Sequence, residues 1–375
     1  MPLALAEVLA DHWADYARRH RTRLVTAHYR AVEAVLRCRT PAMGGQVYRC
    51  AHCERNHFAY HSCNHRSCPQ CGALDQQRWC AMQEARLLPG LDYFLVTFTI
   101  PDTLWPACRA HPAELYDLLL RESAGALQDV AQTKLGGRLG FTTILHTCGR
   151  QMQHHPHVHA VVPAVAFDEQ KRELRRPAKD DFLLWHKALA ARFRNRLDIA
   201  LKRSFPEIHR DLPDDARRAL SHRTEWVVDC RHVGRGHGAV RYLARYVHKT
   251  ALSANRLLGY TADGRIKLAW QNSTTKQWGV AKLSIDTFLD RFLTHVLPKG
   301  FVRVRHCGWL SGAARKTRLL VRALLCGELD EPKPKLPEPP QPLCPDCGAL
   351  MAVVGRLEPL QFKRGPPPSS PAPKP

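Results

Sequence analysis

The chain has 375 residues, which is long enough to bury a sizeable core in two or three structural units. Lys and Arg number 56 against 34 acidic residues, and a net charge of +22 would repel itself strongly without a polyanionic partner such as nucleic acid. The sequence has neither an apolar run of about 18 residues nor a signal peptide, so we expect a soluble, cytoplasmic protein with no membrane partner.

Paired cysteines follow an N-terminal amphipathic stretch that is typical of two basic helices. Cys50 with Cys53, and Cys68 with Cys71, form two C-x-x-C pairs. Thiolates at this spacing are typical of a tetrahedral structural Zn²⁺ site, and the absence of a secretory signal argues against disulfides. We predict a helical, zinc-knuckle DNA-binding region over residues 1–85. Nearby residues that could replace one of these ligands are Cys38, His57, His61, Cys63 and His65.

A histidine segment follows two β-rich stretches, residues 93–100 and 140–148. The connection from the second stretch is short, so we expect adjacent antiparallel strands. His157 and His159 are two residues apart, and on a strand both imidazoles would project from one face. They could hold a metal ion, although a chance pair is a competing explanation in a chain with 21 histidines.

A tyrosine segment lies further along the chain. No proline interrupts it, and its apolar spacing allows a helix that places Tyr242 and Tyr246 one turn apart on one face, beside Arg245 and Lys249. Paired tyrosines at this spacing are by default packing residues. The chain contains no G-x-x-x-x-G-K-[ST] motif, so we expect no nucleotide cofactor.

A proline-rich run begins beyond residue 330 and predicts an extended linker. We therefore assign residues 86–330 to one domain and residues 331–375 to a tail. Cys344 and Cys347 form a third C-x-x-C pair that has no matching pair in the tail. This pair could borrow ligands from elsewhere, bind metal weakly or be inert.

The motifs HPHVHAVVPA and YLARYVHKTALSANR, with the knuckles before them, resemble the two-tyrosine HUH transposases of rolling-circle insertion sequences. The segment Leu145-His146-Thr147 and the segment 297–306 extend the likeness, which spans roughly residues 10–320. The resemblance implies an α+β fold with a central antiparallel sheet and helices on one face, in which residues 86–330 form the catalytic domain.

The resemblance also implies a metal-dependent nickase and strand transferase acting on single-stranded DNA at transposon ends and on target DNA. His157 and His159 would hold Mg²⁺ or Mn²⁺, while Zn²⁺ would be structural. Tyr242 and Tyr246 would be the nucleophiles, each leaving a 5′-phosphotyrosine. Candidates for a third ligand of the catalytic ion are His146, Gln153 and His155. As a separate hypothesis, Arg245 and Lys249 could stabilise phosphate charge.

Elementary chemistry agrees with the roles that the resemblance implies for the tyrosines and the metal ion. A phenol has a pKa of about 10, so it needs a cation that favours the phenolate and polarises the phosphate. A phosphotyrosine conserves the energy of the broken phosphodiester, so rejoining needs no ATP. Two rivals stay open: a zinc metallohydrolase that uses the two histidines with a water nucleophile, and a non-catalytic zinc-knuckle protein that binds nucleic acid.

Overall fold

The structure, a computed structural model, describes residues 3–247, 252–272 and 275–360, apart from the side chains of Tyr246 and Ala254. Its helices are α1 (Leu5–Arg19), α2 (Thr26–Arg37), α3 (Ala73–Ala85), α4 (Trp105–Ala110), α5 (Pro112–Leu135), α6 (His186–Ser204), α7 (Pro206–Arg210), α8 (Asp214–Ala219), α9 (His237–Val247), α10 (Ile285–Thr294) and α11 (Arg315–Cys326). Its strands are β1 (Gly45–Cys50), β2 (Asn56–Tyr60), β3 (Tyr93–Thr99), β4 (Arg138–Cys148), β5 (His154–Pro163), β6 (Ala166–Asp168), β7 (Glu173–Arg175), β8 (Val228–His232), β9 (Leu257–Tyr260), β10 (Ile266–Gln271), β11 (Trp278–Leu283), β12 (Val304–Gly308) and β13 (Met351–Leu357). Among the described helices, none is long and apolar enough to cross a membrane.

A central antiparallel sheet has the strand order β7-β6-β4-β5-β3-β8, and β12 also pairs with β4. The strands β4 and β5 are adjacent and antiparallel, as the short connection between them predicts. In their register Ile144 lies opposite His159, and His146 lies opposite His157. The predicted α+β class and the central antiparallel sheet are therefore confirmed.

One face of this sheet packs on α5 and α6. Alternate residues of β3 and β5 point to that face, and Phe94, Phe98 and Val158 are almost fully buried there. Phe98 meets Phe193 of α6 edge to face, with ring centroids 5.1 Å apart. Burying a side chain of this size contributes roughly 1.5–3 kcal/mol. Because a slip of one residue would turn these side chains to the other face, their burial fixes the strand register.

The opposite face carries the histidines and is covered by α9 and α11. Ile144 and Val161 pack there with Leu243 of α9 and with Trp309. Gly140 makes room for the indole, because a Cβ at this position would lie 2.2 Å from the Trp309 ring. Helices thus lie on both faces of the sheet, whereas the sequence placed them on one. The reason is that strands with apolar residues on both faces need cover on both.

The N-terminal helices form a second core with later residues. α1 and α2 pack on α10 and on the small sheet β9-β10-β11. The Tyr16 hydroxyl on α1 donates a hydrogen bond to Asp290 of α10 at 3.3 Å. The buried thiols of Cys38, Cys68 and Cys71 border this core, so the first cysteine region is anchored to a packed layer.

A third sheet, ordered β13-β1-β2, joins residues distant in sequence. β13 pairs with β1 in antiparallel fashion, from Gly45 opposite Leu357 to Cys50 opposite Met351. The proline-rich segment on the way to β13 crosses α3, where the Arg78 guanidinium donates to the Pro337 carbonyl at 3.3 Å. The segment predicted as a tail therefore returns to the N-terminal region.

Candidate active site

Three imidazoles meet on the sheet face beneath α9. His157 and His159 project from the same face of β5, and His146 of the neighbouring strand lies directly across from His157. The ring centroid of His146 is 4.5 Å from that of His159 and 5.3 Å from that of His157. One nitrogen of each ring lies within 4.8 Å of the others. The strand register alone therefore assembles a three-nitrogen cluster.

Hydrogen bonds orient two of these rings. The His157 Nδ1 lies 2.7 Å from the His155 carbonyl oxygen, which can only accept, so Nδ1 carries the proton and Nε2 keeps its lone pair. The His159 Nδ1 lies 2.9 Å from the Thr97 hydroxyl. The His159 Nε2 is buried with no hydrogen-bond partner among the described residues. A metal ion would satisfy that atom, and the second-nitrogen contacts are those typical of metal-binding histidines.

Burial determines the protonation of the cluster. Burial, together with the neighbouring histidines, lowers the pKa of His146 and His159 well below the usual value. Burial also lowers the pKa of His157 to about 4. All three rings are therefore neutral at neutral pH and can donate lone pairs, so the residues present fit a divalent cation.

Tyr242 on α9 lies beside this cluster. Its ring centroid is 6.3 Å from that of His159, with the ring planes at 86°. The neighbouring Leu243 is fully buried against the sheet and holds the helix in place, while Tyr242 is 40% exposed. One side of the ring thus faces the histidines and the other remains accessible to a substrate.

The structure describes only some of the other residues predicted on this helix. Tyr246 lies on α9 one turn beyond Tyr242, but its side chain lies outside the described residues. Lys249 also lies outside the described residues. Arg245 is exposed to solvent on α9.

The cysteines form two clusters, each of four thiols within 4.8 Å of one another. The first contains Cys38, Cys63, Cys68 and Cys71. Its Cys63 and Cys71 sulfurs are 3.7 Å apart. A tetrahedron with Zn–S bonds of about 2.3 Å has edges of about 3.8 Å, so this spacing fits a zinc ion.

The second cluster contains Cys50, Cys53, Cys344 and Cys347. The predicted set of Cys50, Cys53, Cys68 and Cys71 is therefore not brought together, and each of its two pairs has other partners. The cause is the β1–β2 hairpin, which carries Cys50 and Cys53 at its tip. Five residues of extended chain place that tip roughly 17 Å from the hairpin base, near which the first cluster lies.

Comparison with known proteins agrees with this geometry. Residues 8–100 match the family described as "Transposase zinc-binding domain", and residues 140–318 match the family described as "Putative transposase". The chain is 34% identical over 331 residues to "Putative transposase y4qJ" of Sinorhizobium fredii (strain NBRC 101917 / NGR234), covering 84% of this chain and 82% of that protein. It is 30% identical over 297 residues to "Transposase for insertion sequence element IS801" of Pseudomonas savastanoi pv. phaseolicola, covering 75% of this chain and 69% of that protein. The chain belongs to the IS91/IS801 family of transposases.

Family membership confirms the resemblance that the motifs carry. As a transposase the protein is a DNA-cleaving enzyme, and its partner is DNA. The three histidines and α9 lie in the matched range 140–318, and the first cysteine cluster lies in the matched range 8–100. The zinc-binding-domain match and the converging thiols support Zn²⁺ as a cofactor of this transposase. No solved structure matches it.

Sequence reasoning left the third ligand of the transposase's histidine cluster open among three residues. The structure brings His146 to the cluster. His155 is not in the cluster of three, although its ring lies between Trp105 and His157, with centroids 5.0 and 4.9 Å away. Gln153 accepts a hydrogen bond in the β4–β5 turn. The register of the predicted hairpin was the signal that could have selected His146, because it places this residue opposite His157.

Proposed function

We propose that this transposase nicks and rejoins single-stranded DNA at element ends through 5′-phosphotyrosine intermediates. The nucleophiles are Tyr242 and Tyr246, and the site for a divalent cation is formed by His146, His157 and His159. The observation that carries the proposal is the packing of the Tyr242 ring beside the histidine cluster, 6.3 Å from the His159 ring.

In the proposed reaction the Tyr242 oxygen loses its proton and forms a bond to the scissile phosphorus. The bond from phosphorus to the 3′ oxygen breaks, and that oxygen leaves and takes up a proton. The products are a 5′-phosphotyrosine and a free 3′-hydroxyl. A 3′-hydroxyl reverses the step by attacking the phosphotyrosine, so the exchange needs no ATP. The second tyrosine allows one strand to be held while another is cut.

The histidines serve this chemistry by remaining neutral and correctly oriented. A bound Mn²⁺ or Mg²⁺ would supply positive charge that favours the phenolate and polarises the phosphate. Three nitrogens favour Mn²⁺, since Mg²⁺ prefers oxygen ligands. The contacts of His157 with the His155 carbonyl, and of His159 with Thr97, fix the rings before substrate arrives.

Charge supports DNA as the substrate. The chain carries a net charge of +22, and Arg245 is exposed one turn from Tyr242 on the same helix. Arg245 is therefore proposed to contact a DNA phosphate, together with Lys249. Binding should weaken steeply as salt rises, because each neutralised phosphate releases counterions. In the same proposal Cys38, Cys63, Cys68 and Cys71 bind structural Zn²⁺.

The test uses a 3′-labelled library of single-stranded oligonucleotides containing the element ends, with Mn²⁺ present. We expect a labelled protein–DNA adduct on denaturing gels, since the protein attaches to the 5′ side of the downstream fragment. The double variant Tyr242→Phe, Tyr246→Phe should form no adduct. Tyr29→Phe is the matched control, since that ring packs against Trp13 in the N-terminal region, and it should keep the adduct.

Other outcomes would overturn the proposal. Cleavage without any adduct would indicate a hydrolase that uses water as its nucleophile. Salt-sensitive binding without cleavage at any metal concentration would indicate a non-catalytic nucleic-acid-binding protein. An adduct that persists in the double variant would exclude both tyrosines.

A further inference from the structure

We infer that Cys50, Cys53, Cys344 and Cys347 bind a second structural Zn²⁺, which fastens the segment after residue 330 to the N-terminal hairpin. The inference does not rest on the proposed nicking reaction. The zinc-binding-domain match covers Cys50 and Cys53 but ends at residue 100, so the other two ligands come from outside it.

The sulfur atoms of these four cysteines lie close together. Cys50 and Cys347 have sulfurs 3.5 Å apart, and Cys53 and Cys344 have sulfurs 3.7 Å apart. All four lie within 4.8 Å of one another. Two disulfides would require S–S distances of about 2.05 Å within pairs, which these distances exceed by more than 1 Å. Four thiols spaced like the edges of a tetrahedron fit one zinc ion.

The local backbone also fits thiolate ligands. The amides of His52 and Cys53 point at the Cys50 sulfur, at 3.4 and 3.5 Å. The His57 Nε2 lies 3.4 Å from the Cys344 sulfur, and Asp346 lies 3.7 Å from the same nitrogen. Outer groups of this kind orient metal ligands and stabilise their charge. His57 is therefore a positioning residue of this site.

The β13-β1-β2 sheet has almost no apolar core. Phe58, Val353 and Val354 are each more than half exposed, at 60%, 52% and 56%. Cys50 is the only side chain buried within these three strands, all of which are fully described, and Cys344 beside them is 2% exposed. A three-stranded sheet without a hydrophobic core needs another source of stability. A metal ion supplies such stability in small domains.

A second zinc would tie the segment after residue 330 to the N-terminal hairpin and so close a long loop of the chain. The linker passes α3, where Arg78 holds the Pro337 carbonyl, before its cysteines reach the hairpin tip. α3 in turn packs against α9, which carries the proposed nucleophile Tyr242. The second zinc would therefore anchor the linker that crosses α3.

Zinc content of the full chain tests the inference. We expect the double variant Cys344→Ser, Cys347→Ser and the double variant Cys50→Ser, Cys53→Ser each to lose one zinc equivalent relative to the parent protein. The quadruple variant should also lose only one, because the four residues share one ion. In Co²⁺-loaded protein, thiolate-to-metal absorption should fall by about half in all three. The matched control Cys80→Ser, Cys326→Ser removes two thiols outside both clusters and should lose none.

A loss of two equivalents in the quadruple variant would overturn the inference, because each pair would then hold its own ion. Full zinc content in either double variant would do so as well. Thiol labelling of the parent protein decides the matter if the variants fail to fold. Cys347 is exposed, so a thiol reagent could reach it if no ion were bound. We expect it to be protected until a chelator removes zinc, together with the other three. Labelling of Cys347 at full zinc content would contradict a shared site.

Discussion

The three histidines lie on two hydrogen-bonded strands, whereas the eight clustered cysteines lie at a strand end, on turns and on segments distant in sequence. Sheet register and the packing beneath it place the imidazoles whether or not an ion is bound. The cysteines are not positioned by neighbouring strands of a packed sheet in this way, and only the first cluster borders a hydrophobic core. The fold therefore organises the histidine site, whereas bound metal would organise the chain around the cysteine sites.

The largest expected effect belongs to the histidine site. His159→Ala should reduce adduct formation by about 10³-fold or more, because losing a ligand exceeds the 10- to 100-fold effect of losing its outer partners. The melting temperature should change little, since the sheet frame remains. Adduct yield and thermal unfolding measure the two quantities. His186→Ala, at the exposed start of α6, is the control and should match the parent protein in both. A variant that unfolds along with its loss of cleavage would remove the distinction between the two kinds of site.

The first cysteine cluster should behave in the opposite way. Cys68→Ser, or removal of zinc, should unfold the α1–α2 layer, because structural zinc contributes roughly 10 kcal/mol or more to the folding of small domains. Hydrogen exchange should show lost protection across α2 and β1, and retained protection in β4 and β5. Cys108→Ala, in the core beneath the other sheet face, is the control and should leave α2 protected. Equal loss of protection in both regions would show that the two are one cooperative unit.

A smaller effect, on the free energy of unfolding, is expected where α10 meets the central sheet. His295, which follows α10, has its Nδ1 3.0 Å from the Thr147 hydroxyl, and its Nε2 donates to the Met152 carbonyl at 2.9 Å. Burial, together with nearby Arg303, Arg109 and Arg291, lowers the pKa of His295 to about 4.

The unfolded chain, with a histidine pKa of about 6.5, binds this proton more readily than the folded one. Stability is therefore lost as pH falls from about 6.5 towards 4, by about 1 kcal/mol at pH 5.5. Urea unfolding at pH 7.5 and 5.5 would measure the loss, which His295→Gln should reduce by this amount. His186→Gln, with an exposed ring, should leave the pH dependence as it is in the parent protein. An unchanged pH dependence in His295→Gln would show that protonation of other groups causes the loss of stability.

Local pattern sufficed for the β4–β5 pair and for the shared face of His157 and His159, because both follow from neighbours in sequence. Strand period 2 put His157 and His159 on one face, and the short β4–β5 connection predicted their antiparallel partner. The cysteine grouping could not be obtained this way. A C-x-x-C pair specifies half a site, and which pair completes it depends on tertiary structure, here the length of the β1–β2 hairpin. Helices on both faces of the sheet were not predicted either, because the resemblance implied helices on one face only.

Pairing β1 with β13 has a consequence for biosynthesis. β1 is translated early, yet its partner strand and Cys344 and Cys347 emerge about 300 residues later. Until then one edge of β1 and two thiols lack their final partners, a state in which unpaired strand edges invite association with other chains. At the ribosome, the N-terminal hairpin of this transposase is thus among the first parts made and the last completed.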